Sequence, residues 1–368
     1  MAKKAESLTV YLPNILLLGV DAPYNKTLDK DAYFEEFLNL AKSNQVVFKE
    51  TLSVKLREID PGYFLTKGKL SEVKAVCDKL NIDEIVLSEP LTPQQERNMS
   101  EYLHCKVFDR TQLILEIFEK AAHSAEGKTQ VAIAMMQHKK SRLAGKGIHM
   151  SQQAGTVGVR GGFGETAKEK EKRHIEESIL KFRRQLERIH QVRDTQRKNR
   201  INSQISQICL IGYTNAGKST ILNTLTKSNV LAENKLFATL DTTTRELFIE
   251  HKKKGVISDT VGFIQALPPQ LIEAFKSTLS ELHYANLLLQ VVDLSDKNWE
   301  EHIRVVHKIL LDLNIDKPMC FVFNKADRVD SLEFIQPSLS RYQPHIVVSG
   351  NSKEGIKPLI EFLAQWEQ

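Results

Sequence analysis

Short apolar runs alternate with amphipathic stretches over residues 14–120 of the 368-residue chain. The runs ILLLGV, QVVFKETL, IDEIVLSE and CKVFDR have the length of strands, and the stretches between them have the length of short helices. Such runs, bounded by turn residues and separated by helices, are typical of βα units on a mostly parallel sheet. The pattern therefore predicts an N-terminal α/β domain over residues 1–110.

The hydrophobic period changes in the middle of the chain. Residues 111–143 and about 168–193 have helical patterns, and a glycine-rich stretch, 144–166, lies between them. The second helical pattern has an apolar seam at steps of four and three residues, formed by Ile175, Ile179, Phe182, Leu186 and Ile189. We predict a long antiparallel helical hairpin over residues 111–200, with the glycine-rich stretch as its tip.

Residues 201–368 return to the strand and helix alternation. The apolar runs QICLIG, ELFIEH, KGVISD, LLLQVVDL, PMCFVFN and HIVVSG are separated by helical patterns. This predicts a second α/β domain with a doubly wound sheet, of the size expected for one nucleotide site.

Composition excludes several classes of protein. The 41% apolar and 26% charged fractions are those of a soluble globular protein. The longest apolar runs reach only strand length, so we expect no membrane span. The four cysteines lack the paired spacing of a zinc site or a redox motif, which favours a reduced, cytoplasmic protein. We also expect it to be monomeric.

Positive charge is concentrated in one part of the chain. The formal net charge is +5, but residues 128–200 contain 18 lysines and arginines against 7 acidic residues. A charge block of this kind is either a solvated helix face or a surface for a phosphate backbone. The second alternative makes RNA a candidate partner.

A phosphate-binding motif lies at 212–220, in the stretch GYTNAGKST. It matches G-x-x-x-x-G-K-[ST], and it follows an apolar strand and precedes a helix. Glycines Gly212 and Gly217 let backbone N–H groups turn toward phosphates, and the helix N-terminus adds its dipole. Lys218 is placed to reach the β- and γ-phosphates, and Ser219 to bind Mg²⁺.

Two further elements follow the motif in the order expected of a guanine nucleotide site. The stretch VISDTVG ends a strand with Asp259, which can hold the Mg²⁺ shell, and Gly262 can direct its N–H at the γ-phosphate. In FVFNKAD, Asp327 can accept both N1–H and N2–H₂ of guanine, a donor pair that adenine lacks. Asn324 and Lys325 precede it.

Two other stretches complete the predicted site. VVSGNSKEG supplies Ser349, Gly350 and Asn351 near the base. KLFATLDTTTRE lies where a switch loop should fall, and one of its threonines should complete the Mg²⁺ shell. By position alone Thr239, Thr243 and Thr244 all remain candidates.

The whole chain resembles the HflX family of GTPases, ribosome-associated P-loop proteins that bind the large ribosomal subunit. The resemblance covers about residues 60–360 and is carried by TKGKLSEV, EPLTPQQERN, FDRTQLILEIF, RGGFGET, GYTNAGKST, LFATLD, DTVGFI and NKAD. It implies Thr239 as the second metal ligand. The residues that we expect to bind GTP are Gly212, Tyr213, Thr214, Asn215, Ala216, Gly217, Lys218, Ser219, Phe237, Ala238, Thr239, Leu240, Asp241, Asp259, Thr260, Val261, Gly262, Asn324, Lys325, Ala326, Asp327, Ser349, Gly350 and Asn351.

The glycine-rich stretch GVRGGFGET lacks the preceding strand of a dinucleotide fingerprint. We expect it to contact ribosomal RNA, because glycines permit close backbone approach; a plain linker is the alternative. The RNA-contact candidates are Arg160, Gly161, Gly162, Phe163, Gly164 and Arg173. The family pattern has proline at the position of Phe163, which leaves the partner contacts of this loop open.

The catalytic group is not evident from the sequence. We expect Lys218, Thr239 and Gly262 to take part in hydrolysis. Many GTPases have a water-orienting glutamine after D-x-x-G, but this chain has Phe263 there. Asn215 offers another route, because in several GTPases without the glutamine an asparagine at this position helps hold K⁺.

These residues are compatible with three functions. The leading one is a GTPase whose nucleotide state controls binding to the large ribosomal subunit, with GTP and GDP as ligands, in splitting or rescue of ribosomes under stress. The second is a GTP-dependent switch in the assembly of ribosomes or small RNPs. The third, a metabolic P-loop kinase, is disfavoured by Asn324 and Asp327, because a kinase needs no guanine reader.

Overall fold

The computed structural model describes residues 13–25, 27, 29–143, 167–202, 205–226, 235–268, 271 and 279–366. These residues divide into two compact units. The first contains the described residues up to Ile114 together with 141–143, and the second contains Leu115–Lys140 and the described residues from 167 onward.

A four-stranded parallel sheet, ordered β2-β1-β3-β4, forms the centre of the first unit. Its strands are β1 (Ile15–Asp21), β2 (Glu50–Lys55), β3 (Glu84–Leu87) and β4 (Lys106–Phe108), and its helices are α1 (Lys30–Ser43), α2 (Lys67–Leu80) and α3 (Pro93–Leu103). The central strands are buried on both faces, as the unbroken apolar runs predict. The predicted N-terminal α/β fold is confirmed.

Two helices of this unit, α1 and α3, begin at residues whose side chains cap the helix. The Asp29 side chain accepts a hydrogen bond from Ala32 N at 3.0 Å at the start of α1. At the start of α3, Thr92 and Gln95 form a reciprocal capping box, with Pro93 in the first turn.

Three helices follow the first sheet, namely α4 (Arg110–Ala121), α5 (Ala125–Leu143) and α6 (Ala167–Asn202). Helices α5 and α6 run antiparallel. Lys140 near the end of α5 pairs with Glu176 near the start of α6 at 2.8 Å, and Glu126 at the start of α5 pairs with Arg193 at 2.9 Å. The predicted antiparallel helical hairpin is therefore confirmed, whereas its predicted tip, 144–166, lies outside the described residues.

Two details of the hairpin differ from the prediction. Helix α6 extends nine residues beyond the predicted end near Arg193. The first arm is not continuous, because residues 122–124 separate α4 from α5. The break has a long-range cause, since the backbone N–H groups of His123 and Ser124 donate to the side chain of Asp241 instead of continuing the helix.

A six-stranded sheet, ordered β10-β9-β8-β5-β7-β6, forms the centre of the second unit. Its strands are β5 (Gln207–Gly212), β6 (Thr243–Ile249), β7 (Lys252–Asp259), β8 (Leu287–Asp293), β9 (Met319–Asn324) and β10 (His345–Val347), and its helices are α7 (Lys218–Thr226), α8 (Trp299–Asp312), α9 (Gln336–Leu339) and α10 (Lys357–Gln365). Every strand except β6 is parallel to its neighbours. This is the predicted doubly wound sheet.

The antiparallel pair β6 and β7 is joined by a two-residue turn at Glu250 and His251. Both residues have positive φ, 49° and 64°, as a type I′ hairpin turn requires. The pairing register shifts between Leu247 and Phe248, where two residues of β7 are opposite one step of β6, so β7 has a bulge at Lys254 beside the edge strand β6.

The sheet order places several chain segments at one edge. Strand β5 lies between β7 and β8, so the ends of these parallel strands gather there together with the end of β9. Ligands of doubly wound sheets bind at this carboxyl edge, where the strand order reverses.

Within the described ranges of the chain, none of the helices has the length and apolar character needed to span a membrane.

Candidate functional site

The loop after β5 takes a conformation that only glycine allows at two positions. Gly212 has φ +146°, and a Cβ there would lie 2.2 Å from the carbonyl oxygen of Val291. Gly217 has φ +95°, and a Cβ there would lie 2.3 Å from Asn324 Nδ2. The predicted phosphate loop therefore depends on both glycines for its path.

Lys218, the first residue of α7, is buried beneath this loop. Its Nζ donates to the carbonyl oxygens of Tyr213 at 2.8 Å and Gly212 at 3.2 Å. Burial lowers the pKa of Lys218 to about 8, and the carboxylate of Asp259 acts in the opposite direction. A phosphate group near this ammonium would stabilise its charged form.

Three oxygen atoms from three chain segments meet next to the lysine. Ser219 Oγ donates to Asp259 Oδ2 at 2.6 Å and lies 2.8 Å from Thr239 Oγ1. Asp259 is fully buried, which raises its pKa, while Lys218 acts to lower it. Carboxylate and hydroxyl oxygens are the donors that Mg²⁺ prefers, so this set fits that ion. By contrast, the Thr244 hydroxyl lies 2.8 Å from that of Ser258 and Thr243 begins β6.

Gly262 and Phe263 bring the loop after β7 against the phosphate loop. A Cβ on Gly262 would lie 2.8 Å from Thr214 Cα and 3.1 Å from Lys218 Nζ. The backbone N–H of Phe263 donates to Gly212 at 3.1 Å, and its carbonyl accepts from Thr214 N at 2.8 Å. Phe263 is 1% exposed, so its ring is buried, and a phenyl ring has no group that could hydrogen-bond a ligand.

Tyr213 has a role that sequence reasoning missed. Its ring stacks on His302 of α8 with centroids 3.8 Å apart, and its hydroxyl accepts the backbone N–H of Gln265 at 2.9 Å. This single side chain thus ties the phosphate loop to the segment after Phe263. The motif G-x-x-x-x-G-K-[ST] could not predict this role, because Tyr213 occupies an x position, for which the motif specifies no residue.

Asn324, at the end of β9, connects the predicted base loop to the phosphate loop. Its Nδ2 donates to the Ala216 carbonyl at 2.8 Å, and its Oδ1 accepts the Gly350 N–H at 2.9 Å. Because Asn324 is 2% exposed, both hydrogen bonds are shielded from water.

The remaining base-loop residues lie beside Asn324. The Asp327 N–H donates to Ser349 Oγ at 3.1 Å, and Asn351 Nδ2 lies 3.4 Å from Asp327 Oδ2. Lys325 has φ +62° and its Nζ pairs with Asp293 Oδ2 at 2.6 Å. Asp293, the last residue of β8, was not predicted to belong to the site.

The phosphate end of the site is a pocket. It is lined by Thr214, Asn215, Gly217, Lys218, Ser219, Thr220, Lys235, Phe237, Ala238, Thr239 and Gly262. The side chains of Leu240, Thr260 and Val261 are buried, and the Thr260 hydroxyl donates to the Leu210 carbonyl at 2.8 Å.

Two other groups of predicted residues lie elsewhere. Arg160, Gly161, Gly162, Phe163 and Gly164 lie outside the described residues. Arg173 is exposed on α6, and its Nε lies 3.8 Å from Glu177. The carboxylate of Asp241 bonds to the start of α5.

A glycine loop with its buried lysine, an oxygen cluster beside it and an N-K-x-D loop at the same sheet edge define a P-loop GTPase. Family models agree along the chain, with matches described as GTP-binding GTPase N-terminal over residues 31–119, GTP-binding GTPase Middle Region over 121–200, and 50S ribosome-binding GTPase over 207–325. The chain belongs to the HflX family of GTPases, and its activity is the hydrolysis of GTP.

Curated relatives with the name GTPase HflX support this assignment. The relative from Magnetococcus marinus is 40% identical over 330 residues, which cover 89% of this chain and 76% of that protein. The relative from Caldanaerobacter subterraneus subsp. tengcongensis is 41% identical, with 84% and 71% covered. The relative from Escherichia coli is 36% identical, with 92% and 80% covered.

A solved structure supports the fold. It is described as the crystal structure of an SsGBP and GDP complex, is 23% identical in sequence, and superimposes with a TM-score of 0.51. The alignment covers 96% of this chain and 98% of that one. The aligned part of the chain is therefore not confined to the GTPase domain.

Proposed function

We propose that this chain is a Mg²⁺-dependent GTPase whose nucleotide state controls its association with the large ribosomal subunit, and that it splits or rescues ribosomes under stress. The observation that carries the proposal is the match of residues 207–325 to a family described as 50S ribosome-binding GTPase. The protein acts in the cytoplasm as a monomer.

Mg²⁺ is held by Ser219 and Thr239, with Asp259 behind them. The contacts between these three oxygens support that assignment, because they come from the phosphate loop, the switch segment and the end of β7. When bound, the ion offsets negative charge on the β- and γ-phosphates. Thr239 belongs to the segment that responds to the γ-phosphate, so this ligand reports the nucleotide state.

Hydrolysis depends on electrostatic stabilisation more than on a side-chain base. Lys218 places its charge at the phosphates, Gly262 directs its N–H at the γ-phosphate, and Thr239 closes the metal site. Phe263 is buried and has no group that could orient water. We assign to Asn215, which lines the pocket, the binding of K⁺ beside the phosphates.

The helical hairpin supplies the RNA contacts. On α6, Lys181, Arg184 and Arg188 lie together along one groove, with the half-exposed Leu180 beside them. Three cations within eight residues form a track that phosphates can follow. The proposal includes RNA contacts by Arg160 to Gly164, and it assigns three functional domains, 1–110, 111–200 and 201–368.

Cosedimentation with purified 50S, 30S and 70S particles tests the proposal. We expect the protein to pellet with 50S particles in a non-hydrolysable GTP analogue and much less in GDP. Lys181→Glu/Arg188→Glu should weaken pelleting and reduce its salt dependence, because each lost phosphate contact lowers the salt slope by about one. Lys353→Glu/Lys357→Glu, the same charge change on exposed positions of the GTPase domain, is the control.

Deletion of residues 145–165 separates the tip from the body of the hairpin. We expect this variant to bind GTP normally and to lose association with the 50S particle. Equal pelleting of wild type in the GTP analogue and in GDP would contradict the proposed control by nucleotide. Preferential pelleting with 30S particles would instead favour a role in assembly.

A further inference from the structure

The switch segment 237–241 is fixed at both ends to the helices that precede it in the chain. At one end, the Phe237 ring packs edge-on against Phe118 of α4, with centroids 4.6 Å apart and planes at 85°. At the other end, the Asp241 carboxylate accepts hydrogen bonds from His123 N at 2.8 Å and Ser124 N at 2.7 Å. The Ser124 hydroxyl donates to the same carboxylate.

The N-terminal end of helix α5 stabilises the negative charge of the Asp241 carboxylate. The first N–H groups of a helix have no partner within the helix, and its dipole attracts negative charge. Ser124 precedes α5 and also accepts the Gly127 N–H at 2.9 Å, so the hydroxyl caps the helix and holds Asp241 at once. Hydrogen bonds to a carboxylate are stronger than those between neutral groups.

The metal-site threonine lies between these two anchors. Thr239 Oγ1 is 2.8 Å from Ser219 Oγ, and the intervening Leu240 is 2% exposed, so its side chain is packed in place. Only one residue, Leu240, separates Thr239 from Asp241. A shift of Asp241 off the helix must therefore move the backbone that presents Thr239 to the metal site.

We propose that Asp241 is a positioning residue for GTP hydrolysis: its bonds to the start of α5 hold Thr239 in the geometry that the triphosphate state needs. The middle helices and the nucleotide site are then coupled thermodynamically. Because such coupling is reciprocal, the γ-phosphate also strengthens the contact between Asp241 and α5. This inference concerns the GTPase activity and is independent of ribosome association.

A substitution at Gly127 can break the contact between Asp241 and the start of α5 without removing a polar group. A Cβ at this position would lie 2.1 Å from Asp241 Oδ1 and 3.2 Å from its Cγ. Gly127→Ala should therefore displace the carboxylate, while alanine itself favours the helix. Gly68→Ala is the matched control, because Gly68 lies in the first turn of α2 and has no atom within 4 Å of its added Cβ.

The measurement is the affinity for a non-hydrolysable GTP analogue and for GDP, both with Mg²⁺, together with single-turnover hydrolysis. Gly127→Ala should lower the preference for the analogue over GDP and the hydrolysis rate, each by roughly fivefold or more, the range of ordinary coupling between sites. GDP affinity and melting temperature should stay near wild type. Gly68→Ala should change neither the preference nor the rate.

A double mutant separates positioning from general damage. Asp241→Ala removes the group that the new methyl contacts, so adding Gly127→Ala to it should cause no further loss. Equal nucleotide preference and hydrolysis in Gly127→Ala and wild type would overturn the proposal. So would additive losses in the double mutant, because they would show that the alanine acts through something other than Asp241.

Discussion

The Asn324 side-chain amide donates to the Ala216 carbonyl at 2.8 Å, which joins the base loop directly to the phosphate loop. The two parts of the nucleotide site therefore form one connected structure. The second hydrogen bond of Asn324, from the Gly350 N–H, brings in the third loop. Asn324 therefore supports nucleotide binding by holding the three loops together, in addition to any contact that it makes with the base.

Asn324→Ala should weaken GTP and GDP binding alike. The change removes two buried hydrogen bonds, which together stabilise the site by on the order of 2–3 kcal/mol, or roughly 30- to 150-fold in affinity. Fluorescence titration with labelled nucleotides measures both constants. Asn351→Ala, which removes only an exposed 3.4 Å contact to Asp327, should weaken binding far less. A loss confined to GTP would show that the asparagine acts on the γ-phosphate instead.

Asp327→Asn should change the base that the protein prefers. The carboxylate is exposed beside Ser349 and can accept from the two guanine donors. Loss of these charge-assisted bonds should weaken GTP binding by about 2–3 kcal/mol. Xanthosine triphosphate has a carbonyl where guanine has its amine, so its affinity should rise. Calorimetry with both nucleotides tests this, and unchanged GTP affinity would refute the assignment of Asp327.

Phe263 should matter for stability more than for the chemical step. Because the ring is buried, Phe263→Ala should lower the free energy of unfolding by about 3–5 kcal/mol, whereas Phe263→Leu should cost less than about 1.5 kcal/mol. Isolated wild type and the leucine variant should both hydrolyse GTP slowly in single-turnover assays. Fast hydrolysis in Na⁺ that Gln265→Ala abolishes would show that Gln265 orients the water.

Asn215 should determine the response to monovalent cations. We expect faster single-turnover hydrolysis in K⁺ than in Na⁺ at equal ionic strength, because a cation beside the phosphates offsets developing charge. Asn215→Ala should remove this difference and leave the rate in Na⁺ nearly unchanged. If the variant retains the full K⁺ stimulation, the cation binds elsewhere.

Glu89→Gln should alter the pH dependence of stability in the N-terminal domain. Burial raises the pKa of Glu89, and the hydrogen bond from Tyr24, at 2.7 Å, partly opposes the shift. Its contribution to stability is therefore complete below the unfolded value near 4.5 and is lost as pH rises through the higher folded-state pKa. The glutamine variant should lack this decline.

Amide hydrogen exchange of β1 and β3 between pH 4.5 and 8 measures the effect locally, after correction for intrinsic exchange rates. Glu101→Gln, at an exposed position of α3, should keep the wild-type profile. A glutamine variant with the same decline as wild type would assign the pH dependence to another group.

Local patterns were sufficient to predict most of the fold. The strand runs and helix periods indicated both sheets, and the hairpin followed from the seam through Ile175 and Ile179, which are buried. The break between α4 and α5 could not be predicted in this way. It depends on Asp241, more than 100 residues further along the chain, and no local pattern encodes such a partner.

The site residues also differ in whether a local pattern could predict them. The glycine loop and Lys218 are fixed by a short motif, so their spacing alone was informative. The spacing did not identify the metal-binding threonine, because Thr239, Thr243 and Thr244 all lie in one threonine-rich stretch. Pairing with β7 places Thr243 and Thr244 in β6, whereas Thr239 lies beside Ser219. Strand register decides this, and it depends on the partner strand.

The edge strand β6 also bears on how the protein behaves when concentrated. An edge strand offers unpaired backbone groups to any neighbouring chain, and such edges promote aggregation. Here the edge has the exposed charges of Arg245 and Glu246, the latter paired with Lys253, and the shift at Leu247 and Phe248 interrupts its regular pairing. These features disfavour growth of the sheet from one molecule into the next and help the protein stay dispersed in solution.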